Sequence, residues 1–266
     1  MVPGNGILYG KILGKGRVVV TNRDYEQEIK NRVKFIKEMV TVSGSSGIIF
    51  ANSGGKDSAL VGILCKMACE NTVSLILPCG VARSYKQDRE DALALSIKYN
   101  IATRGIDLAE TQDVLTKALG ADTKLSKSAL SNISPRLRML ALYTVGASEN
   151  RLVAGTSNYS EYYMGYFTKW GDGGCDFNPI RDLTCTEVFE FLKYLDAPAC
   201  IIDKPPSAGL YEGQTDEEDM GITYESIDRY LLTGEATAID KSIIERAHKP
   251  TAHKRRVPPA YGENNA

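Results

Sequence analysis

The chain has 266 residues, 32 Lys and Arg against 33 Asp and Glu, a formal net charge of −1 and 43% hydrophobic residues. A balance this close to neutral lacks the cationic excess on which nucleic-acid affinity rests, and the apolar fraction suits a well-filled core. No apolar run approaches membrane-spanning length and no charged-then-apolar signal segment opens the chain, so a cytoplasmic protein with no membrane partner is expected. The six cysteines have no Cys-x-x-Cys spacing, which argues for reduced thiols rather than a zinc site or redox pair. Cys65 and Cys69, at i and i+4, read as core residues.

Residues 1–23 form a Gly-rich leader, and 24–266 are expected to form a single domain. Residues 24–40 read as an amphipathic helix with Ile29, Val33, Ile36 and Val40 on one side. The apolar stretch 47–51 reads as a buried parallel strand, and 57–70 as a helix with Leu60, Val61, Leu64, Met67 and Ala68 on one face. Between them lies Ser53-Gly54-Gly55-Lys56-Asp57-Ser58. Strand, tight glycine loop and helix make an anion site, because consecutive N–H groups form a concave nest and the helix dipole favours negative charge at its first turn. Asp57 would repel a phosphate there unless it held a divalent cation, so the loop implies Mg²⁺ as well as phosphate.

The Gly55-Lys56 pair is not a Walker A loop. That motif needs Gly where this chain has Phe50, and Ser or Thr where it has Asp57.

Further along, 72–77 reads as a strand, 86–99 as a helix, 100–106 as a strand, 108–119 and 136–147 as helices, and 151–155 as a strand. Repeated strand–helix–strand units predict an α/β fold, a doubly wound, mostly parallel sheet with helices on both faces. Ligands in such sheets bind at the carboxyl ends of the strands, where both 53–58 and 155–156 fall. Two loops are therefore expected to converge on one site.

The second loop carries the more specific signal. Gly155-Thr156-Ser157-Asn158-Tyr159-Ser160-Glu161 precedes Gly165-Tyr166-Phe167-Thr168-Lys169-Trp170-Gly171-Asp172-Gly173-Gly174-Cys175-Asp176-Phe177-Asn178-Pro179-Ile180. With Asn132 to Met139, Lys204-Pro205-Pro206-Ser207-Ala208-Gly209-Leu210 and His253-Lys254-Arg255-Arg256, these blocks resemble the ammonia-dependent NAD synthetases, and the loop 53–58 resembles that of the ATP pyrophosphatases to which they belong. The resemblance spans about residues 26–261. It implies a Rossmann-like, adenine nucleotide alpha hydrolase-like fold and a ligase: ATP adenylates the nicotinate carboxylate of deamido-NAD, pyrophosphate leaves, and ammonia displaces AMP to give NAD.

By the same resemblance Asp57 and Glu161 would hold Mg²⁺, while Ala51, Asn52, Ser53, Gly54, Gly55, Lys56, Asp57, Ser58, Thr156 and Ser207 would bind ATP. Arg136, Lys169, Asp176, His253 and Lys254 would hold deamido-NAD. Asp57, Asp172 and Lys254 are the catalytic candidates, with Asp172 handling ammonium. The family implies a homodimer, and a chain of this length leaves no room for the amidase domain of glutamine-dependent relatives.

Several residues keep a plainer reading. Asp172 could be only a turn former beside its glycines and Asp176 only a cap. Arg136 and Arg138, at i and i+2, face different sides of a helix, so one of them is expected to reach substrate. The acidic run 216–219 reads as a solvated surface loop, or with Gly213 and Gln214 as a lid. Ala51 stands where the family usually has glycine and is tolerable only at negative φ. Cys185 stands where many members place an ATP-contacting Lys, although Thr184 and Glu187 still read as a capping box. The alternative functions are another amide-forming or thiolating ATP pyrophosphatase, or a non-catalytic nucleotide sensor.

Overall fold

The structure, a computed structural model, describes residues 23–79, 85–207 and 215–261. Residues 1–22 of the leader, and Gly213 and Gln214 of the suggested lid, lie outside these. Arg23 is already tied to the body, donating to Glu187 at 2.6 Å.

Apart from the short helix α5, which the sequence reading does not contain, the first half alternates as the sequence predicts: α1 (Tyr25–Ser43), β1 (Gly47–Ala51), α2 (Lys56–Ala68), β2 (Thr72–Ile76), α3 (Tyr85–Lys98), β3 (Ala102–Gly105), α4 (Ala109–Gly120), α5 (Lys127–Ser131), α6 (Ile133–Ser148) and β4 (Arg151–Val153). Asp24 caps α1 by accepting from the Gln27 N–H at 3.1 Å. Helix α6 begins three residues before the position predicted from apolar spacing. Its first turn accepts Pro135, whose missing N–H would lack an intrahelical partner there anyway.

All strand pairs are parallel, in the order β3-β2-β1-β4. Winding therefore runs outward from β1 to β3 and reverses to place β4 on the other side of β1. A crevice opens at such a reversal, at the carboxyl ends of the two strands. Side chains alternate across β1. Ile48 and Phe50 enter a core shared with α1, α2 and α8 (Cys185–Tyr194), whereas Ile49 joins Val73, Leu75, Val153 and Leu142 beneath α6. Helices thus cover both faces of the sheet, as a doubly wound fold requires.

The remaining elements are α7 (Tyr159–Met164) before α8, and α9 (Ala199–Ile202), α10 (Asp216–Met220), α11 (Tyr224–Thr233), α12 (Ala238–His248) and a 3-10 turn (Ala252–Lys254) after it. A third apolar cluster of Met164, Cys185, Ile222, Tyr224, Ile227 and Ile244 joins α7, α8, α11 and α12 beside the sheet. The acidic run is a correction to the sequence reading. It forms helix α10 capped by Thr215, and Asp216 is buried, accepting from the Tyr224 hydroxyl at 2.9 Å. Four acidic residues at a helix N-terminus favour the positive end of its dipole, which a solvated loop would not offer.

Candidate active site

Chain chemistry shapes the first loop into a closed cradle. The Ser53 hydroxyl lies 3.1 Å from that of Ser58 and accepts from the Gly55 N–H, while Ser58 donates to the Gly55 carbonyl at 3.0 Å. Asn52 is buried, accepts from the Gly54 N–H at 3.2 Å and donates to the Ala92 carbonyl of α3 at 3.0 Å. Gly54 is required twice over: its φ is +72°, and a Cβ would lie 2.3 Å from the Asp88 carbonyl oxygen. Ala51 ends β1 in register with Leu75 and is not among the residues with left-handed φ, so its methyl group brings no backbone strain.

Across the crevice, the end of β4 leads into α7 through a second network. Asn158, fully buried, forms a capping box with Glu161. Its amide also donates to Asp57 Oδ1 at 3.0 Å, which ties the two loops together. The box takes Glu161 Oε2 and aims Oε1 back toward the first loop. There the Lys56 ammonium bridges the carboxylates, 2.7 Å from Asp57 Oδ2 and 3.5 Å from Glu161 Oε1. Burial, and then the charge of Asp57, push the Glu161 carboxyl well above its ordinary range. Burial opposes the Lys56 charge, but Asp57, Cys185 and Glu161 outweigh it and hold the ammonium firmly protonated. Two carboxylates converging on one cation, with oxygen donors only, fit a hard dication such as Mg²⁺, which takes one or two carboxylates and completes its shell with water and phosphate oxygens.

Asn158 carries no assigned role in the sequence reading. Its signal was present, as the third residue before Glu161 in a capping-box pattern directly after a strand.

Lys169, His253 and Lys254 gather at the turn that follows α7. The Lys169 ammonium donates to the His253 carbonyl at 2.9 Å and lies 5.3 Å from the Trp170 ring. Lys254 donates to the carbonyls of Gly165 and Phe167 at 2.8 and 2.7 Å, so its cation braces that turn. The Asp172 carboxylate accepts from the Thr168 N–H at 2.9 Å. Its side chain is exposed, yet desolvation by the surrounding protein raises its pKa against the hydrogen bonds it accepts; burial lowers that of Lys254, with Asp172 opposing. Asp176 accepts from the Val153 N–H at 2.7 Å and the Tyr143 hydroxyl at 3.1 Å, which fastens the loop to β4 and α6 instead of capping its own turn. Arg136 is exposed, whereas Arg138 donates to the Leu77 carbonyl at 3.0 Å, the two-sided arrangement that their spacing predicts.

Thr156 is half-buried at the end of β4, and Ser207 is exposed at the last described residue of its segment. Cys185 does not face open solvent. It is buried at the first turn of α8, and its backbone N–H donates to the Ser160 hydroxyl at 3.0 Å. The cation on that side of the site is Lys56.

A parallel doubly wound sheet with a glycine cradle and a carboxylate pair at its strand reversal defines a nucleotide-binding α/β protein. The chain belongs to the NAD synthase family, whose profile matches residues 28–265. The NH(3)-dependent NAD(+) synthetase of Carboxydothermus hydrogenoformans is 44% identical over 88% of this chain and 97% of its own length, and that of Alkaliphilus metalliredigens 43% identical over 87% and 96%. Among solved structures, NMN synthetase from Francisella tularensis superposes with a TM-score of 0.86 at 35% identity, covering 91% of this chain and all of that one. The NH3-dependent NAD synthetase from Campylobacter jejuni follows at 0.74 and 32%, covering 90% and 99%.

Proposed function

We propose that this chain is an ammonia-dependent NAD synthetase, a ligase that uses ATP to activate the nicotinate carboxylate of deamido-NAD and forms a C–N bond with ammonia. The observation that carries the reading is the Asp57–Glu161 pair, locked by Asn158 and facing one cation beside a glycine cradle. In this reading Asp57 and Glu161 hold Mg²⁺, which supplies charge neutralisation for the triphosphate and for the leaving pyrophosphate. The 51–58 loop, Thr156 and Ser207 bind ATP. Arg136, Lys169, Asp176, His253 and Lys254 hold deamido-NAD, with Lys254 acting through the 165–167 turn that it braces. Asp172, whose raised pKa suits proton transfer, receives the proton of the incoming ammonium. No protein nucleophile is needed, because adenylation already makes the carbonyl a good electrophile and the protein supplies position and charge.

The same reading places residues 24–266 in one catalytic domain, the protein in the cytoplasm, and two copies in the working assembly. Small molecules are its substrates.

The test is release of AMP and pyrophosphate by purified protein. Release that requires both deamido-NAD and ammonium, with NAD as product, is the expected result. AMP release that ignores deamido-NAD would sink it. A second reading has its own support in the Francisella tularensis neighbour, an NMN synthetase with the higher TM-score of the two. Nicotinate mononucleotide, which lacks the adenylate half, is then the acceptor, and kcat/KM for the two acceptors in the same assay decides between them.

A further inference from the structure

Lys56 opens α2 in the loop that faces the nucleotide, yet its charge is turned inward. Its side chain is only 6% exposed. Its ammonium lies between Asp57 and Glu161, with the Tyr224 and Phe189 rings 5.4 and 5.9 Å away. The space that it fills is the space a dication would need in order to touch both carboxylates. We propose that Lys56 is a tethered counter-ion for the carboxylate pair, which competes with free divalent cation and yields to it when a nucleoside triphosphate arrives to accept the displaced ammonium. The proposal rests on the reading of Asp57 and Glu161 as the metal pair.

Charge arithmetic gives the mechanism. Without a cation, two partly buried carboxylates would repel each other; the ammonium cancels one of the two charges. A dication entering the same space would meet the ammonium at contact distance, so the ammonium must leave. In the nucleotide-free protein it would then be a buried cation whose carboxylates the metal has neutralised, a state disfavoured by desolvation. A triphosphate in the cradle supplies phosphate oxygens as new partners, and the flexible lysine stem can swing to them without moving the α2 backbone. Metal and nucleotide therefore favour each other's binding through one side chain, and such coupling is reciprocal.

The experiment uses the full chain with Mn²⁺ as the probe, read by the electron paramagnetic resonance of free Mn²⁺ and by water-proton relaxation of the bound ion. Titrations are run with and without α,β-methylene-ATP, which cannot release pyrophosphate. Wild type is expected to bind Mn²⁺ weakly alone and tightly with the analogue. Lys56→Met and Lys56→Gln should bind Mn²⁺ about tenfold or more tightly without nucleotide, and the enhancement by the analogue should shrink correspondingly. Equal Mn²⁺ affinity in wild type and both variants, with the enhancement intact, overturns the tethered counter-ion.

Asp57→Asn separates the two layers of the argument. It should abolish protein-bound Mn²⁺ under both conditions. Unchanged Mn²⁺ binding in that variant overturns the metal reading and this proposal with it. Thermal unfolding guards against a variant that folds poorly: metal-free Lys56→Gln should melt below wild type and regain the difference with Mn²⁺ alone, and a melt unaffected by either change counts against the proposal.

Discussion

At the residue scale the site is a set of charges whose partners are already chosen. Asp57→Ala and Glu161→Ala should each reduce adenylation at least about 10²-fold, since one lost charge-stabilising contact typically removes that much and these would remove a metal ligand. Pyrophosphate release in Mg²⁺ is the measurement, and near-normal turnover in either variant would show that the pair does not hold the metal. Cys185 gives a second prediction. Its thiol is pushed well above its ordinary range by burial, with the Lys56 charge opposing, so the space around it already contains one cation. Cys185→Lys would add another in the same buried region and should raise the ATP KM and destabilise the fold by on the order of 3 kcal/mol. The double variant Lys56→Met/Cys185→Lys should recover much of both losses. A single variant that lowered the ATP KM would mean the position was unfilled.

These charges also mark the limit of what the residues alone convey. The cradle and Asp57 are legible because a glycine loop between strand and helix has few other uses, whereas Glu161 is singled out only by the family resemblance of the 155–161 block. The direction of the Lys56 side chain is not, because it depends on Glu161, Tyr224 and Phe189, which the fold brings from far along the chain. Lys254 and Asp176 likewise read as ligand contacts by pattern, whereas their hydrogen bonds to Gly165, Phe167 and Val153 appear only in three dimensions.

At the scale of elements, β1 is the most readable strand because it is an uninterrupted apolar run buried on both faces, whereas β3, Ala102-Thr103-Arg104-Gly105, is largely exposed and is legible mainly from the helices on either side of it. Helix α11 was harder to read. Its Thr223 cap and Gly234 stop are present, but Asp228 interrupts the stripe of Tyr224, Ile227 and Leu231. Asp228 is fully buried and accepts from the Thr186 N–H and hydroxyl at 2.8 and 2.7 Å and from Ser160, so a polar residue takes a core position that periodicity assigns to an apolar one. The junction of α2 with β1 yields a test. A Cβ at Gly62 would sit 2.5 Å from the Phe50 ring, which is fully buried. Alanine normally favours a helix over glycine by about 1 kcal/mol, yet the forced repacking should cost about 1–3 kcal/mol. Gly62→Ala is therefore expected to be destabilising overall in denaturant unfolding, and a gain in stability would mean that Phe50 has room to move.

Glu149, just past α6, accepts from Arg104 of β3 at 2.6 Å and from Arg151 of β4 at 2.7 Å. Hydrogen bonds from Arg104 and then Arg151 lower its pKa from 4.5 to about 2. A depressed carboxyl contributes stability that is present above pH 4.5 and lost as pH falls toward 2. The group is partly exposed and solvent screens it, so its contribution is on the order of 1 kcal/mol or less. Glu149→Gln should flatten the stability profile slightly between pH 4.5 and 2 and leave its shape elsewhere unchanged. An unchanged acid limb would show that the arginines hold Glu149 no better folded than unfolded.

At the scale of the whole molecule, one helix has apolar side chains that nothing among the described residues covers. Helix α4 has no buried residue, although it carries Val114, Leu115 and Leu119, of which Val114 is 64% exposed. Leu130 of α5 and Leu140 of α6 add to the exposed apolar surface on the neighbouring helices. Helices α4 and α5 each pack against α6. An amphipathic helix whose apolar residues meet water is stabilised by a partner, and a second copy supplies the same apolar surface in return. Sedimentation of the purified chain is expected to give about twice the 29.1 kDa of one copy. Val114→Glu with Leu140→Glu should give a folded monomer, because neither side chain is buried within one copy. Arg136 lies one helical turn from Leu140, so the monomer should lose affinity for deamido-NAD while its KM for ATP, set by the 51–58 loop, changes little. A wild-type chain that sediments as a single copy at micromolar concentration, or a double variant that stays paired, would remove this face as the dimer contact; a monomer with both KM values intact would keep the dimer but separate it from the substrate site.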